Sequence, residues 1–151
     1  MTNWWTPEDA AAFKELTQGL VKQFDQVEIL PGLMANGAYT LGENIGDQGG
    51  LRVAYTAFLD SQKKKGVNIE DESAKIDGLT PAQTFYLNYA NLWAQNVRDE
   101  EMRSLTVGDV HSLGKNRVNV TLRNLDPFFK AFNIKEGDPM FRPEAERVVI
   151  W

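Results

Sequence analysis

Cysteine is absent from this sequence, and histidine occurs once, at His111. The first absence excludes disulfides and every metal site built on thiolates. The second is nearly as restrictive. A hydrolytic zinc site commonly needs two or more imidazole ligands, and one histidine cannot supply them. No apolar run reaches the length of a membrane span, and the opening residues carry no apolar signal-peptide core. Positive charge is not in excess either. The formal net charge is −5, and the basic residues are scattered apart from Lys63-Lys64-Lys65. Nothing electrostatic therefore points to nucleic acid.

What is present is the material of one folded unit. The 151 residues match a single domain able to bury a real core. Four Trp, four Tyr and eight Phe argue against disorder over most of the length. Helix signals dominate. Thr6-Pro7-Glu8-Asp9 reads as an N-cap, a first-turn proline and two acids. Phe13, Leu16, Leu20, Phe24 and Val27 then recur at helical spacing, until Pro31-Gly32 breaks the pattern. A second helix is expected from Leu41 to Lys65, with Ile45, Val53, Ala54, Phe58 and Leu59 inward and Gly66 as its cap. Residues 66–78 read as a surface loop. Thr80-Pro81-Ala82-Gln83 is a capping box, with Phe85, Tyr89, Leu92 and Trp93 as the buried face beyond it. Asp109 to Lys115 reads as a loop, Arg117 to Leu125 as a helix, and Asp126-Pro127 as the start of a Phe-rich helix. Val148-Val149-Ile150-Trp151 is either a short strand or a terminal anchor. There is no internal repeat and no internal domain boundary.

One stretch fits these patterns badly: Gly42-Glu43-Asn44-Ile45-Gly46-Asp47-Gln48-Gly49-Gly50. On a helix, Glu43 and Asp47 project from one face about one turn apart. Gly42, Gly46 and Gly49 form a bare stripe beside them. Each interior glycine costs a helix roughly 1 kcal/mol relative to alanine, which suggests that something approaches this backbone closely. Two readings of the acids compete. They suit a metal or a tightly held substrate. Alternatively, Thr40-Leu41-Gly42-Glu43 is a capping box in which Glu43 satisfies a backbone N–H.

Taken together, Leu41-Gly42-Glu43-Asn44-Ile45-Gly46-Asp47-Gln48-Gly49-Gly50-Leu51, Asp109-Val110-His111-Ser112, Arg117-Val118 and the ending Arg147-Val148-Val149-Ile150-Trp151 resemble the C-terminal part of the neprilysin-like (M13) zinc metallopeptidases. The resemblance runs from Trp4-Trp5-Thr6 to Trp151, almost the whole chain. Gly46 and Gln48 depart from the commoner Ala and Asn. The family's H-E-x-x-H, which supplies two zinc-binding histidines and the general base, occurs nowhere here.

The resemblance implies a mainly α fold with few or no strands, the helical C-terminal portion of a thermolysin-like (gluzincin) catalytic domain, with residues 1–151 as a fragment of it. It implies zinc as the cofactor of the parent enzyme, with Glu43 as the third protein ligand. Asp47 matches the carboxylate that fixes a ligating histidine, and His111 the donor to the oxyanion of the tetrahedral intermediate. Asp109, two residues earlier, would favour a donor-competent imidazolium. Arg117 matches the arginine that grips a substrate carbonyl. The implied partners are peptide substrates and the missing N-terminal part of the parent, which the family places mostly outside the cytoplasm. By itself the chain is expected to be inactive, to bind zinc without high affinity, and to self-associate or need its N-terminal complement for full stability. The competing expectation is a helical interaction module that keeps the fold without catalysis.

Overall fold

The computed structural model describes residues 4–150. Among them the chain forms six helices and one short ribbon: α1 (Pro7–Asp25), β1 (Glu28–Leu30), β2 (Leu33–Met34), α2 (Leu41–Lys64), α3 (Pro81–Leu92), α4 (Asp99–Gly108), α5 (Gly114–Leu122) and α6 (Asp126–Phe132). The fold is mainly α, as the sequence implies. Punctuation residues set several boundaries. Thr6 accepts the Asp9 N–H at 3.1 Å, with Pro7 opening α1. At α3, Thr80 and Gln83 form the reciprocal capping box. Pro31-Gly32 does break α1's pattern, but into a hairpin: β1 and β2 pair antiparallel, Glu28 against Met34, and Gly32 turns at φ +75°. That left-handed turn is a conformation glycine adopts without steric cost.

α5 holds the molecule together. Val120 joins Leu20 and Phe24 of α1 and Val148 in one core cluster. Val118 and Leu122 join Leu51, Tyr86, Leu125, Phe128 and Phe129 in a second. In the latter, Tyr86 stacks on Tyr55 with ring centroids 5.4 Å apart and meets Phe128 edge-on. Burying each such side chain is worth roughly 1.5–3 kcal/mol. The C-terminal stretch is an anchor rather than a strand. Asn124 Oδ1 accepts the Val148 N–H at 3.0 Å, and Gln48 Nε2 donates to the Val148 carbonyl at 2.5 Å. The Val148 side chain lies against Gly19, where a Cβ would stand 3.1 Å from its Cγ2. Trp151, the last residue of the terminal motif, lies outside the described residues.

Several sequence-based expectations need correction. α4 is an addition to these expectations; its apolar stripe is short, Met102 and Leu105, and only half-buried. It is announced only by the acids Asp99, Glu100 and Glu101 in its first turn. α5 starts at Gly114 rather than Arg117, which shortens the expected loop. Gly114 sits where a Cβ would meet the Trp93 carbonyl oxygen at 2.8 Å, so the helix can begin tight against that backbone. Val53 (71% exposed), Ala54 and Leu59 do not face inward. The buried residues of α2 are Asn44, Gln48 and Leu51, so polar side chains hold the inner face where apolar ones were sought. Leu92 is 77% exposed because α3 ends there, and Leu16 is exposed too.

Candidate active site

The Glu43 carboxylate is not consumed by capping. Thr40 precedes α2 with φ −95° and ψ 6° and makes no side-chain cap. Its hydroxyl donates instead to the Asn36 carbonyl at 3.0 Å. Glu43 is therefore left uncapped in the first turn of α2, where the helix dipole favours a negative charge. Asp47 follows one turn later on the same face.

A second element meets them. α4 ends at Gly108, Asp109 leaves it in an extended conformation, and residues 109–113 cross towards α2. Asp109 Oδ1 accepts the His111 backbone N–H at 3.0 Å and lies 2.6 Å from Nδ1 of the same residue. The ring is thereby turned so that Nε2 lies 3.1 Å from Glu43 Oε2. The hydrogen bonds from the His111 side chain and backbone hold the Asp109 carboxyl below its ordinary range.

α5 brings the third part. Arg117 Nε and Nη2 reach the two oxygens of Asp47 at 2.5 and 2.7 Å, a two-point pair with both side chains about nine-tenths covered. The same guanidinium lies 3.8 Å from Glu43 Oε2 and stacks 3.9 Å above the Trp93 ring. Tyr89 Oη donates to the Arg117 carbonyl at 3.0 Å, which fixes the helix turn carrying it. The Asp47 hydrogen bond raises the Arg117 pKa despite burial. A desolvated, planar, bidentate pair of this kind is rigid as well as charged.

All five residues selected from the sequence thus meet on one face: Glu43, Asp47, Asp109, His111 and Arg117. Three carboxylates face one arginine and one histidine, and that balance suits an added cation. Glu43 has a 41% exposed side chain, so it is accessible, whereas Asp47 is committed to Arg117. This donor chemistry fits a metal to which Glu43 gives one oxygen ligand. Among the described residues, no three His, Cys, Asp or Glu side chains are arranged to hold a metal ion. Sequence reasoning missed three supports. Trp93, read as core, is the platform under Arg117. Ser112 donates to the buried Asn44 Oδ1 at 2.7 Å. The only hint of those two was their position inside the quoted motifs, because a polar residue on an inner face leaves no periodic signal.

Comparison with known proteins identifies the family. The model of peptidase family M13 matches residues 1–148. The "Neutral endopeptidase" of Lactococcus lactis subsp. lactis is 34% identical over 151 residues, and neprilysin of Homo sapiens is 36% identical over 148. These matches cover 100% and 97% of this chain but 21% and 19% of the relatives. The chain therefore spans about a fifth of their length. Among solved structures, the Mycobacterium tuberculosis zinc metalloprotease Zmp1 in complex with an inhibitor superposes with a TM-score of 0.84 at 36% identity, covering all of this chain and 23% of that one. PepO from Lactobacillus rhamnosis gives a TM-score of 0.81 at 32% identity.

Proposed function

The chain belongs to peptidase family M13, and from that premise we propose that it is the C-terminal catalytic portion of a zinc-dependent endopeptidase or oligopeptidase. The observation that carries this is the meeting of Glu43, His111 and the Asp47–Arg117 pair on one face, from two helices and a loop. Glu43 would hold the metal by one carboxylate oxygen. When bound, zinc lowers the pKa of its water and polarises a carbonyl. Beside it, this chain would contribute further side chains.

His111 Nε2 is the donor for the oxyanion that forms as the scissile carbonyl becomes tetrahedral, with Asp109 fixing the ring from the other side. Arg117 has five N–H donors. Asp47 engages Nε and Nη2, and the donors left over are available to a substrate carbonyl. Asp47 also stands where it could orient a histidine ligand from the remainder of the parent. That remainder would supply the two histidines and the general base. The parent would act on peptides outside the cytoplasm; no described helix here is long and apolar enough to cross a membrane.

The test is mutation in the full-length enzyme. Glu43→Gln removes a charged ligand, so zinc and activity are lost together. His111→Phe keeps zinc and loses turnover by roughly 10²–10³-fold. Loss of zinc in the His111 variant, by metal analysis, would overturn its assignment as donor. The chain alone, with one Glu ligand, is expected to bind zinc weakly; a submicromolar site in calorimetric titration would refute the fragment reading.

A further inference from the structure

On the reading that His111 acts as the oxyanion donor, we infer that Asn44 and Ser112 are positioning residues, a hydrogen-bonded clamp that sets the imidazole over Glu43. Asn44 follows Glu43 on α2, so it points about 100° away round the helix. Glu43 faces the site while Asn44 faces inward, 1% exposed. Its Oδ1 accepts the Ser112 hydroxyl at 2.7 Å, and its Nδ2 donates to Thr40 Oγ1 at 2.9 Å. The direction of this relay is fixed. The single Thr40 proton goes to the Asn36 carbonyl, so Thr40 can only accept from the amide. The amide oxygen is then left for Ser112, which must donate.

Ser112 is the residue directly after His111. Among the described residues, its bond to Asn44 and the His111–Glu43 contact are the polar links from the 109–113 loop to α2. The loop's other hydrogen bonds are local, within Asp109 and His111 or into the ends of α4 and α5. The Asp109 bonds therefore orient the ring within the loop, but they do not locate the loop on α2. Behind it, the cavity lined by Asn36, Thr40, Thr106 and Asn116 measures only about 10 Å³, so the loop cannot settle inward. The register between Glu43 and His111 depends on the Ser112 hydroxyl. A misplacement of about 1 Å at a catalytic group can cost on the order of 10²-fold in rate.

Two measurements decide this. His111 is the only histidine of this chain, so its ring signals in the NMR spectrum are unambiguous. In the wild-type chain the ring is expected to show cross-peaks to the Glu43 side chain; Ser112→Ala abolishes or averages them, and Ser112→Thr, which keeps the hydroxyl, restores them. Wild-type cross-peak intensity in Ser112→Ala overturns the clamp whatever the protein's activity. In the full-length enzyme, Ser112→Ala lowers kcat by about 10–100-fold with KM nearly unchanged. In a His111→Phe background it costs less than about two-fold more, because the clamp acts through that ring. Multiplicative losses overturn the inference. A His111→Phe enzyme with full turnover instead defeats the catalytic reading, and the NMR result still decides whether the clamp exists.

Discussion

At the scale of single residues, the site is set by short polar contacts, each with a measurable signature. Asp109 is the clearest. Its carboxylate is held ionised first by the His111 side chain and then by the backbone N–H. A carboxyl whose folded pKa is depressed favours the folded form above its ordinary range, near pH 4. That contribution is lost as the pH falls through the lowered value. Carbon-detected titration is expected to show Asp109 protonating below the ordinary aspartate range. In His111→Phe it returns part of the way, keeping the backbone share and the smaller pull of Arg117. An unmoved titration in that variant would mean that the ring is not the main cause. Sequence inspection paired Asp109 with His111 correctly, since the two are local neighbours. It could not pair Asp47 with Arg117, because 70 positions separate them and periodicity carries no information about such partners.

At the scale of elements, α2 teaches the most. Its apolar residues suggested one inner face, yet Asn44 and Gln48 occupy the buried line and the apolar Val53 lies outside. Helices with capping signals were legible: α1, α3 and α6 each open on a Thr-Pro or Asp-Pro pair. α4 was not, because it has no capping residue and its short apolar stripe is only half-buried. The glycines of α2 belong to its outer side. A Cβ on Gly42 or Gly46 would meet nothing within 4 Å, and the groove beside them, about 950 Å³, is lined by Ile45, Val53 and Ala57. No contact within this chain explains Gly42, Gly46 or Gly50. Gly46→Ala is therefore expected to stabilise the isolated chain by about 0.5–1 kcal/mol through helix propensity alone, while weakening association with the upstream portion of the parent. Gly37→Ala is the contrast. Its Cβ would stand 2.2 Å from the Val21 carbonyl oxygen, so a loss of about 1–3 kcal/mol or more is expected. Thermal melts of the two variants separate the cases; a destabilised Gly46→Ala would show that the outer face is already covered.

At the scale of the whole molecule, Val53, Ile76, Leu92 and Val107 are each more than 70% exposed. An apolar cleft of about 1000 Å³ opens between α2, α3 and the 74–79 segment. Exposed apolar surface on this scale favours association. The chain is expected to self-associate, or to gain stability when its upstream complement is added. Sedimentation of the chain alone, with melts plus and minus the complement, checks this; a monomer with an unchanged melt would favour the autonomous module. Alkaline stability offers an independent check on the core. Burial raises the phenols of Tyr86 and Tyr89 well above their ordinary value near 10. Their neutral forms are favoured by folding, so this contribution is intact below about pH 10 and declines above it. Tyrosinate absorbance from these two rings is expected to appear only together with loss of helical circular dichroism. The sequence conveyed the class of this fold and, by motif, residues that meet on one face. The burial of this core, however, depends on which helices meet, and that is not written in any local pattern.

The Val148 anchor has a consequence for the order in which the molecule can be assembled. Its peptide is held by Gln48, a partner 100 positions earlier, and by Asn124, while its side chain fills the space above Gly19. Contacts of such sequence separation are slow to find, and during synthesis the partner segments emerge long before Val148 does. α1 and α2 therefore keep their shared seam uncapped until Val148, 100 positions after Gln48, arrives to lock it. Fixing the helix that carries Glu43 thus depends on a segment made 100 positions after Gln48.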